Sequence, residues 1–255
     1  MIEFTTTQLY ELIANFFWPF VRILAFLSIA PVFSNRSVPV TSKIGLGFAI
    51  SLLIAPNIPP LIEHDPLSWS GLLILIQQFL IGFSIGFSMQ IIFAGIGLAG
   101  EAISMTMGLG FGAFFDPQSQ GRSTSVSQLL TAFAILFFIG CDFHLLFIES
   151  LANSFKTIPI SYSSINKFQY QQLAFLGSNI FSAGLQLSLP IVTILLVMNM
   201  ALGILNRSAP QLNMFGIGFP LTLLTGFIML KLMLPYMTEP ILSLIRQGIE
   251  ITKFN

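Results

Sequence analysis

The chain has 255 residues, of which 55% are apolar and only 8% are charged, well below the roughly 25% of an average soluble domain. Its mean hydropathy is +0.87, and ten basic side chains balance ten acidic ones. This composition indicates a membrane or membrane-complex protein, and the zero net charge gives no support for a nucleic-acid partner. One cysteine and two histidines exclude an internal disulfide and offer no ligand cluster, so we expect no metal and no cofactor.

Apolar stretches follow one another along the chain, and they predict an all-α fold. Each reaches the roughly 20 residues that a helix needs to cross a bilayer. Residues 1–7 contain no basic region and no cleavage site, so we expect the first stretch to be retained in the mature protein. The six stretches cover residues 12–33, 44–62, 71–104, 126–151, 173–206 and 215–237.

The longest stretches exceed what a straight span requires. Residues 71–100 carry no charge and would form a helix of about 45 Å, against a hydrocarbon core of about 30 Å. Pro190 lies in the middle of another uncharged stretch, and Pro220 and Pro235 lie in the last one. Because proline removes a backbone donor from a helix, we expect bent, proline-broken helical hairpins.

Small residues recur at four-residue spacing in the third stretch, at Gly82 and Gly86 and at Ser84 and Ser88. This spacing lets two helix backbones approach closely, so a helix contact is predicted there. The ordinary composition of membrane helices, which are rich in glycine and serine, explains the pattern equally well.

Six ionisable side chains fall in apolar stretches, where a charge is costly and usually faces protein or water. They could form a proton pathway or make structural pairs. Structural pairing, of Arg22 or Lys231 with an acid, is favoured because only Asp142 and Glu149 would share a helix face. The six residues are Arg22, Glu101, Asp142, His144, Glu149 and Lys231.

The sequence contains none of the common catalytic patterns. Nucleophilic catalysis needs an activated Ser, Thr or Cys beside a base, and His64 and His144 are the only histidines. No phosphate-binding glycine motif, HExxH motif or CxxC pair occurs. We therefore expect no enzymatic activity and no catalytic residues.

The stretch Gly100–Gly121 follows neither helix nor loop composition, because glycines alternate with large apolar residues before an Asp-Pro pair. Glycines at this spacing disfavour a helix, so a flexible loop is predicted. Such a loop is either a plain linker or a movable constriction, since apolar rings exclude water from pores and methionine deforms without losing contact. The candidate gate residues are Met105, Met107, Gly108, Gly110, Phe111, Gly112, Phe114, Phe115, Asp116 and Pro117.

A second run, Leu205–Pro220, is a polar turn in an apolar region. Arg207, Gln211 and Asn213 supply donors that could bond open carbonyl groups or a partner. A tight turn between two antiparallel helices is a sufficient explanation. The candidate interface residues of this turn are Pro210, Gln211 and Asn213.

Together, Gly100–Pro117 and Leu205–Pro220 resemble the flagellar biosynthetic protein FliR family. Charged residues within the matching runs, Arg22, Glu101, His144 and Arg207, are predicted to be buried and structural. Further matches, in chain order, are Phe17–Arg22, Ala30-Pro31, Pro39, Lys43–Gly47, Ala55-Pro56, His144-Leu145, Ser154-Phe155 and Ile158-Pro159.

The resemblance implies a component of the type III secretion export gate, assembled with FliP-like and FliQ-like subunits into a helical channel with an FlhB-like protein attached. It implies a FliP-like part over residues 1–170 and a FliQ-like helical hairpin over residues 171–255. It also implies a plug loop at Gly108–Pro117. The expected location is the bacterial inner membrane, in contact with lipid at the flagellar basal body, partly on the periplasmic side. The expected substrates are exported flagellar proteins.

Two other functions stay open at this point. A stand-alone secondary transporter would use helices broken at Pro190 and Pro220 and would be coupled through Glu101 and Asp142. A structural scaffold for a partner membrane protein would use the same apolar surfaces without forming a channel.

Overall fold

The computed structural model describes residues 6–35, 37–58, 68–111, 123–160, 167–208 and 214–252. These residues form seven α-helices and two 3-10 turns and contain no β-strand, which confirms the all-α prediction. The turns are Ala55–Asn57 and Leu109–Phe111. The helices are α1 (Thr6–Ile29), α2 (Val40–Ile54), α3 (Trp69–Met107), α4 (Ser125–Gly140), α5 (Phe143–Thr157), α6 (Lys167–Ser208) and α7 (Met214–Thr252).

Among the described helices, three are long and apolar enough to cross a membrane. They are α3, the Phe181–Ser208 part of α6 and the Gly216–Glu250 part of α7, and α4 with α5 adds a fourth if the two form one broken span. The apolar parts of α1 and α2 are shorter than the roughly 20 residues that a span requires. The described helices thus include several that could cross a membrane, as the predicted all-α membrane protein requires.

Prolines do not break the two longest C-terminal helices. α6 runs for 42 residues through Pro190, and α7 runs for 39 residues through Pro220 and Pro235. Of the two predicted effects, a bend or a break, the break does not occur at these positions, and the bend stays a prediction. Each proline removes only one N–H group from a long ladder, and all three prolines lie on exposed faces, where the freed carbonyl group is not enclosed by the chain.

The apolar stretch predicted at residues 126–151 is two helices instead of one. α4 ends at Gly140 and α5 begins at Phe143. Between them Asp142 has a φ of 57°, in the left-handed region that ends a right-handed helix. Asp142 and Glu149 therefore do not share a helix face, contrary to the prediction, and both are exposed, as is the neighbouring Cys141.

Contacts divide the chain into two compact units, neither of which is continuous in sequence. The first unit contains Met1–Gln90, Asp142–Leu176 and Arg246–Asn255. The second unit contains Ile91–Cys141 and Gly177–Ile245. Each has its own buried apolar residues.

In the first unit, α1 packs closely against α3. A Cβ atom at Gly82 would overlap the carbonyl oxygen of Arg22, and one at Gly86 would lie 2.9 Å from the carbonyl oxygen of Phe26. The helix contact predicted from the spacing of these glycines is confirmed. The ring centre of Phe147 on α5 lies 4.7 Å from the ring centre of Phe26 on α1. This aromatic contact joins α5 to the same core.

In the second unit, α4, α6 and α7 pack against the last part of α3. The ring centres of Phe93 and Phe138 are 5.8 Å apart. A Cβ atom at Gly184 of α6 would lie 2.9 Å from Cδ2 of Leu98. In the most apolar 18-residue stretch of α3, 67% is buried within the chain. In the corresponding stretches of α6 and α7 only 22% is buried. The outer faces of α6 and α7 therefore leave much apolar surface for lipid or another protein to cover.

Candidate functional site

The C-terminal end of α3 is the start of the glycine-rich loop. Gly108 has a φ of 88°, and its N–H group donates to the carbonyl oxygen of Met105 at 3.1 Å. A glycine in this conformation is a common way to end a helix. The helix thus continues through Met107, and the loop begins at Gly108 and not, as predicted, at Gly100.

Two methionines close to this end have opposite environments. Met107 is completely buried, whereas Met105 is 69% exposed. The side chain of Met107 fills a space beside Gly226 of α7, where an added Cβ atom would lie 2.5 Å from Cγ and 2.7 Å from Sδ of Met107. Met107 is therefore an anchor for the end of α3, and Met105 is the apolar side chain that this end presents to its surroundings.

The last carbonyl groups of α3 bond to the C-terminal helices. A helix leaves its final four carbonyl groups without intrahelical partners. The hydroxyl group of Thr222 on α7 shares its one proton between the carbonyl oxygen of Met107 at 3.3 Å and that of Phe219, in its own helix, at 2.9 Å. The side-chain amide of Asn199 on α6 donates to the carbonyl oxygen of Thr106 at 3.5 Å, the long limit of a hydrogen bond. Side chains of α6 and α7 thus cap α3.

A second set of contacts joins α3 to α4, which follows the loop. Glu101 Oε1 accepts the N–H group of Thr124 at 2.9 Å, and Thr124 caps α4 by accepting the N–H group of Ser127 at 3.4 Å. The hydroxyl group of Ser127 donates to the carbonyl oxygen of Gly97 at 2.9 Å. A Cβ atom at Gly100 would lie 2.7 Å from the nitrogen of Ser127. The helices before and after the loop are therefore tied to each other directly.

In the first unit, Arg22 is completely buried and bonds only to neutral groups among the described residues. Its Nε donates to Oε1 of Gln78 at 2.8 Å, and its two terminal nitrogens donate to the carbonyl oxygens of Ser154 and Ile158 at 3.0 Å. Its guanidinium carbon lies 4.1 Å from the ring centre of Phe155. In the described part of the chain Arg22 therefore does not pair with an acid, which was one of the two predicted pairings, because the C-terminal end of α5 and an aromatic face stabilise the charge.

The sequence matches bacterial export proteins, family 1, over residues 13–248. A flagellar biosynthetic protein FliR of Pectobacterium carotovorum subsp. carotovorum is 48% identical over 236 residues, which cover 92% of this chain and 90% of that protein. The FliR of Escherichia coli (strain K12) is 41% identical over 235 residues, with coverage of 92% and 90%. The chain belongs to the FliR family. The resemblance predicted from its motifs is confirmed. The chain is a membrane-associated protein of flagellar biosynthesis and protein export.

Several residues that the FliR resemblance singled out lie outside the described residues. They include most of the loop and the whole interface turn, and for Phe111 only the backbone is described. Their roles stay predictions. The residues outside the description are Gly112, Phe114, Phe115, Asp116, Pro117, Pro210, Gln211 and Asn213.

The remaining charges predicted to be structural in this FliR-family chain have different environments. Glu101 and His144 are half-buried, whereas Arg207 is exposed, which contradicts its prediction as a buried charge. Lys231, the other candidate for pairing, is exposed on α7. Within the described ranges, no three His, Cys, Asp or Glu side chains come together as a metal site.

Sequence reasoning missed the neutral partners that complete these sites. The contacts of Gln78 and Ser154 with Arg22 were not predicted, although Ser154-Phe155 is one of the matches to the FliR family and an amide in an uncharged apolar stretch was an available signal. Thr222 and Gly226 gave no such signal, since both residue types are common in membrane helices. Their role depends on contacts with Met107, which is 115 residues from Thr222 in the sequence.

Proposed function

We propose that the chain is a subunit of the flagellar type III protein export gate, that it forms part of the channel with FliP-like and FliQ-like subunits, and that the loop beginning at Gly108 seals this channel. In this proposal residues 1–170 are the FliP-like part and residues 171–255 the FliQ-like hairpin. An FlhB-like protein is attached, and flagellar proteins pass through. The complex lies in the bacterial inner membrane at the flagellar basal body, partly on the periplasmic side.

The observation that carries the proposal is the anchoring of the loop at its base. α3 is held by α7 through Met107 and by α4 through Glu101. The loop therefore starts from a fixed frame at Gly108, where the left-handed backbone ends α3. Apolar side chains in such a loop exclude water from a narrow passage while it is closed.

The exposed apolar faces of α6 and α7 support a place inside a larger membrane complex. Surfaces of this kind are rare on isolated soluble proteins and are normally covered by lipid or by a partner. In a channel built from several subunits, both kinds of cover are present. The exposed residues include Leu185, Leu189, Leu196, Val197, Phe227 and Leu232.

A stand-alone transporter is less well supported by the described residues. Its proposed coupling residue Glu101 is bonded to a backbone N–H group at a helix start, which is a structural arrangement. Asp142 is exposed at the break between α4 and α5. The helices are also continuous at Pro190 and Pro220, where a transporter of this type would be broken.

The experiment is to delete Gly110–Phe115 and to measure ion and small-molecule leakage through the assembled complex in liposomes. We expect leakage to rise well above that of the unaltered complex. A variant in which serine and glycine replace the same six residues keeps the loop length and removes its apolar side chains, and it should leak as well. Unchanged leakage in both variants would refute the sealing role.

The same preparation separates the alternatives. If the deletion abolishes assembly while Phe111→Ala and Phe115→Ala leave the channel closed, the scaffold function is favoured. If the chain purified without FliP-like and FliQ-like subunits is stable and binds a solute, the transporter is favoured.

A further inference from the structure

We propose that α7 sets the position of the sealing loop through a seat for Met107, formed by Gly226 and Thr222. The inference rests on the proposed function, because it assigns a control element to the same loop. It adds that a change in the C-terminal helices, with the loop sequence untouched, opens the seal.

The apolar half of the seat is the space that Gly226 leaves on α7. Met107 is completely buried, and its Cγ, Cε and Sδ atoms would lie 2.5, 2.6 and 2.7 Å from a Cβ atom at position 226. Real Cβ atoms do not approach heavy atoms within 3.0 Å, so one of the two residues must move if position 226 gains a methyl group. The Sδ and Cε atoms belong to the flexible end of the side chain, but Met107 is completely buried and this end has little free space, so part of the shift passes to the backbone of Met107.

The polar half of the seat lies one helical turn earlier on the same face of α7. The hydroxyl group of Thr222 lies 3.3 Å from the carbonyl oxygen of Met107 and 2.9 Å from that of Phe219 in its own helix, so these two acceptors share its one proton. Positions 222 and 226 are neighbours on one side of a helix. Two successive turns of α7 therefore hold the side chain and the backbone of one residue, so a sliding movement and a rotation of the end of α3 are both resisted.

The seat is connected to the loop without an intervening helical residue. Met107 is the last residue of α3, and the next residue, Gly108, has the left-handed backbone at which the loop begins. A displacement of Met107 is thus passed directly to the start of the loop. The bond between Glu101 and Thr124 lies nearly two turns earlier and holds α3 to α4, so it does not compensate for a shift at the seat.

The test uses the full complex in liposomes and compares two glycine-to-alanine changes in the C-terminal helices. Gly226→Ala should raise leakage toward that of the loop deletion. Gly203→Ala on α6 is the matched control, since a Cβ atom there meets nothing within 4 Å, and it should leave leakage unchanged. The amount of assembled complex is measured for each variant, so that misfolding is recognised as loss of complex.

Two further variants separate the seat from a general loss of packing. Met107→Ala combined with Gly226→Ala removes the clash and lets the new methyl group at position 226 occupy part of the space that the methionine leaves, so this variant should leak less than Gly226→Ala alone. Thr222→Val removes the hydroxyl group with little change of shape and should raise leakage, whereas Thr222→Ser keeps the donor and should leak less than Thr222→Val.

The outcomes are distinct. If the loop deletion leaks but Gly226→Ala and Thr222→Val do not, the seat is refuted and the sealing function stands. If Gly226→Ala leaks and the double variant leaks more, the effect is lost packing, and the seat is again refuted. If the deletion itself does not leak, the sealing function fails and the inference fails with it.

Discussion

The guanidinium group of Arg22 donates to the backbone carbonyl oxygen of Ser154 at 3.0 Å, and the same oxygen accepts the N–H group of Ile158 at 2.9 Å. A buried cation thus lies at the C-terminal turn of α5, where the helix dipole is negative. Because α1 carries the cation and α5 carries the acceptors, this contact fixes two elements of the first unit that are 132 residues apart.

Replacing Arg22 is therefore expected to destabilise the protein. Arg22→Met leaves Oε1 of Gln78 and the carbonyl oxygen of Ile158 without this donor, at a cost of about 3 kcal/mol in the free energy of unfolding. Arg22→Lys keeps a charge but lacks the planar fork that reaches several acceptors, so it should recover only part of the loss. Denaturant unfolding in detergent measures both. Arg207→Met, at an exposed position, is the control and should change stability by less than about 0.5 kcal/mol. An equal loss of stability in Arg22→Met and Arg207→Met would contradict a stabilising role of the buried Arg22 at the end of α5.

Gly82→Ala should disrupt the contact between α1 and α3. The new methyl group would overlap the carbonyl oxygen of Arg22, and a backbone atom cannot rotate away as a side chain can. We expect a loss of about 3 kcal/mol, measured as a lower midpoint of thermal unfolding. Gly45→Ala on α2 has open space around it and should be neutral or stabilising by up to about 1 kcal/mol. A midpoint for Gly82→Ala at or above that of the unaltered protein would contradict the close packing.

Glu101 should act through an accepted hydrogen bond and not through ion pairing. Glu101→Ala removes the acceptor of the Thr124 N–H group and should cost about 1 kcal/mol. Glu101→Gln keeps a carbonyl oxygen in the same place, so it should retain most of the stability. Hydrogen exchange of the Thr124 amide group should accelerate in the alanine variant only. Equal acceleration in both variants would show that the charge is essential.

Met105 and Met107 should respond differently to the same truncation. Met107→Ala creates a cavity in a closed environment and should cost about 3 kcal/mol. Met105→Ala removes a side chain that is largely exposed and should change stability by less than about 0.5 kcal/mol. Thermal unfolding of the purified protein distinguishes the two. A larger effect at Met105 than at Met107 would contradict the burial of Met107 in this fold.

Composition and local spacing were sufficient to predict that the fold is helical and that one pair of helices packs closely. The scarcity of charge predicts apolar helices, and Gly82 and Gly86 predict close packing, because both signals depend on residues within a few turns of one another. The break at Asp142 depends on one backbone angle, for which the surrounding apolar residues gave no warning.

The start of the loop shows why tertiary contacts decide what local propensity leaves open. Glycine at position 100 disfavours a helix on its own. In the structure, however, the backbone of Ser127 occupies the space where a side chain would be, so glycine is the residue that this helix contact requires. In the same way, the partners of Arg22 lie 56 or more residues away, beyond any spacing that a single sequence reveals.

Cys141 is exposed beside the break between α4 and α5, and it is the only cysteine among the 255 residues. A thiol-reactive fluorophore or spin label would therefore attach at one position without the prior removal of other cysteines. Cys141 is the last residue of the segment Ile91–Cys141 of the second unit, and the next residue, Asp142, belongs to the first unit. The natural sequence thus carries one attachment point for spectroscopy, beside the break between α4 and α5, and a label there would report on movement of these two helices.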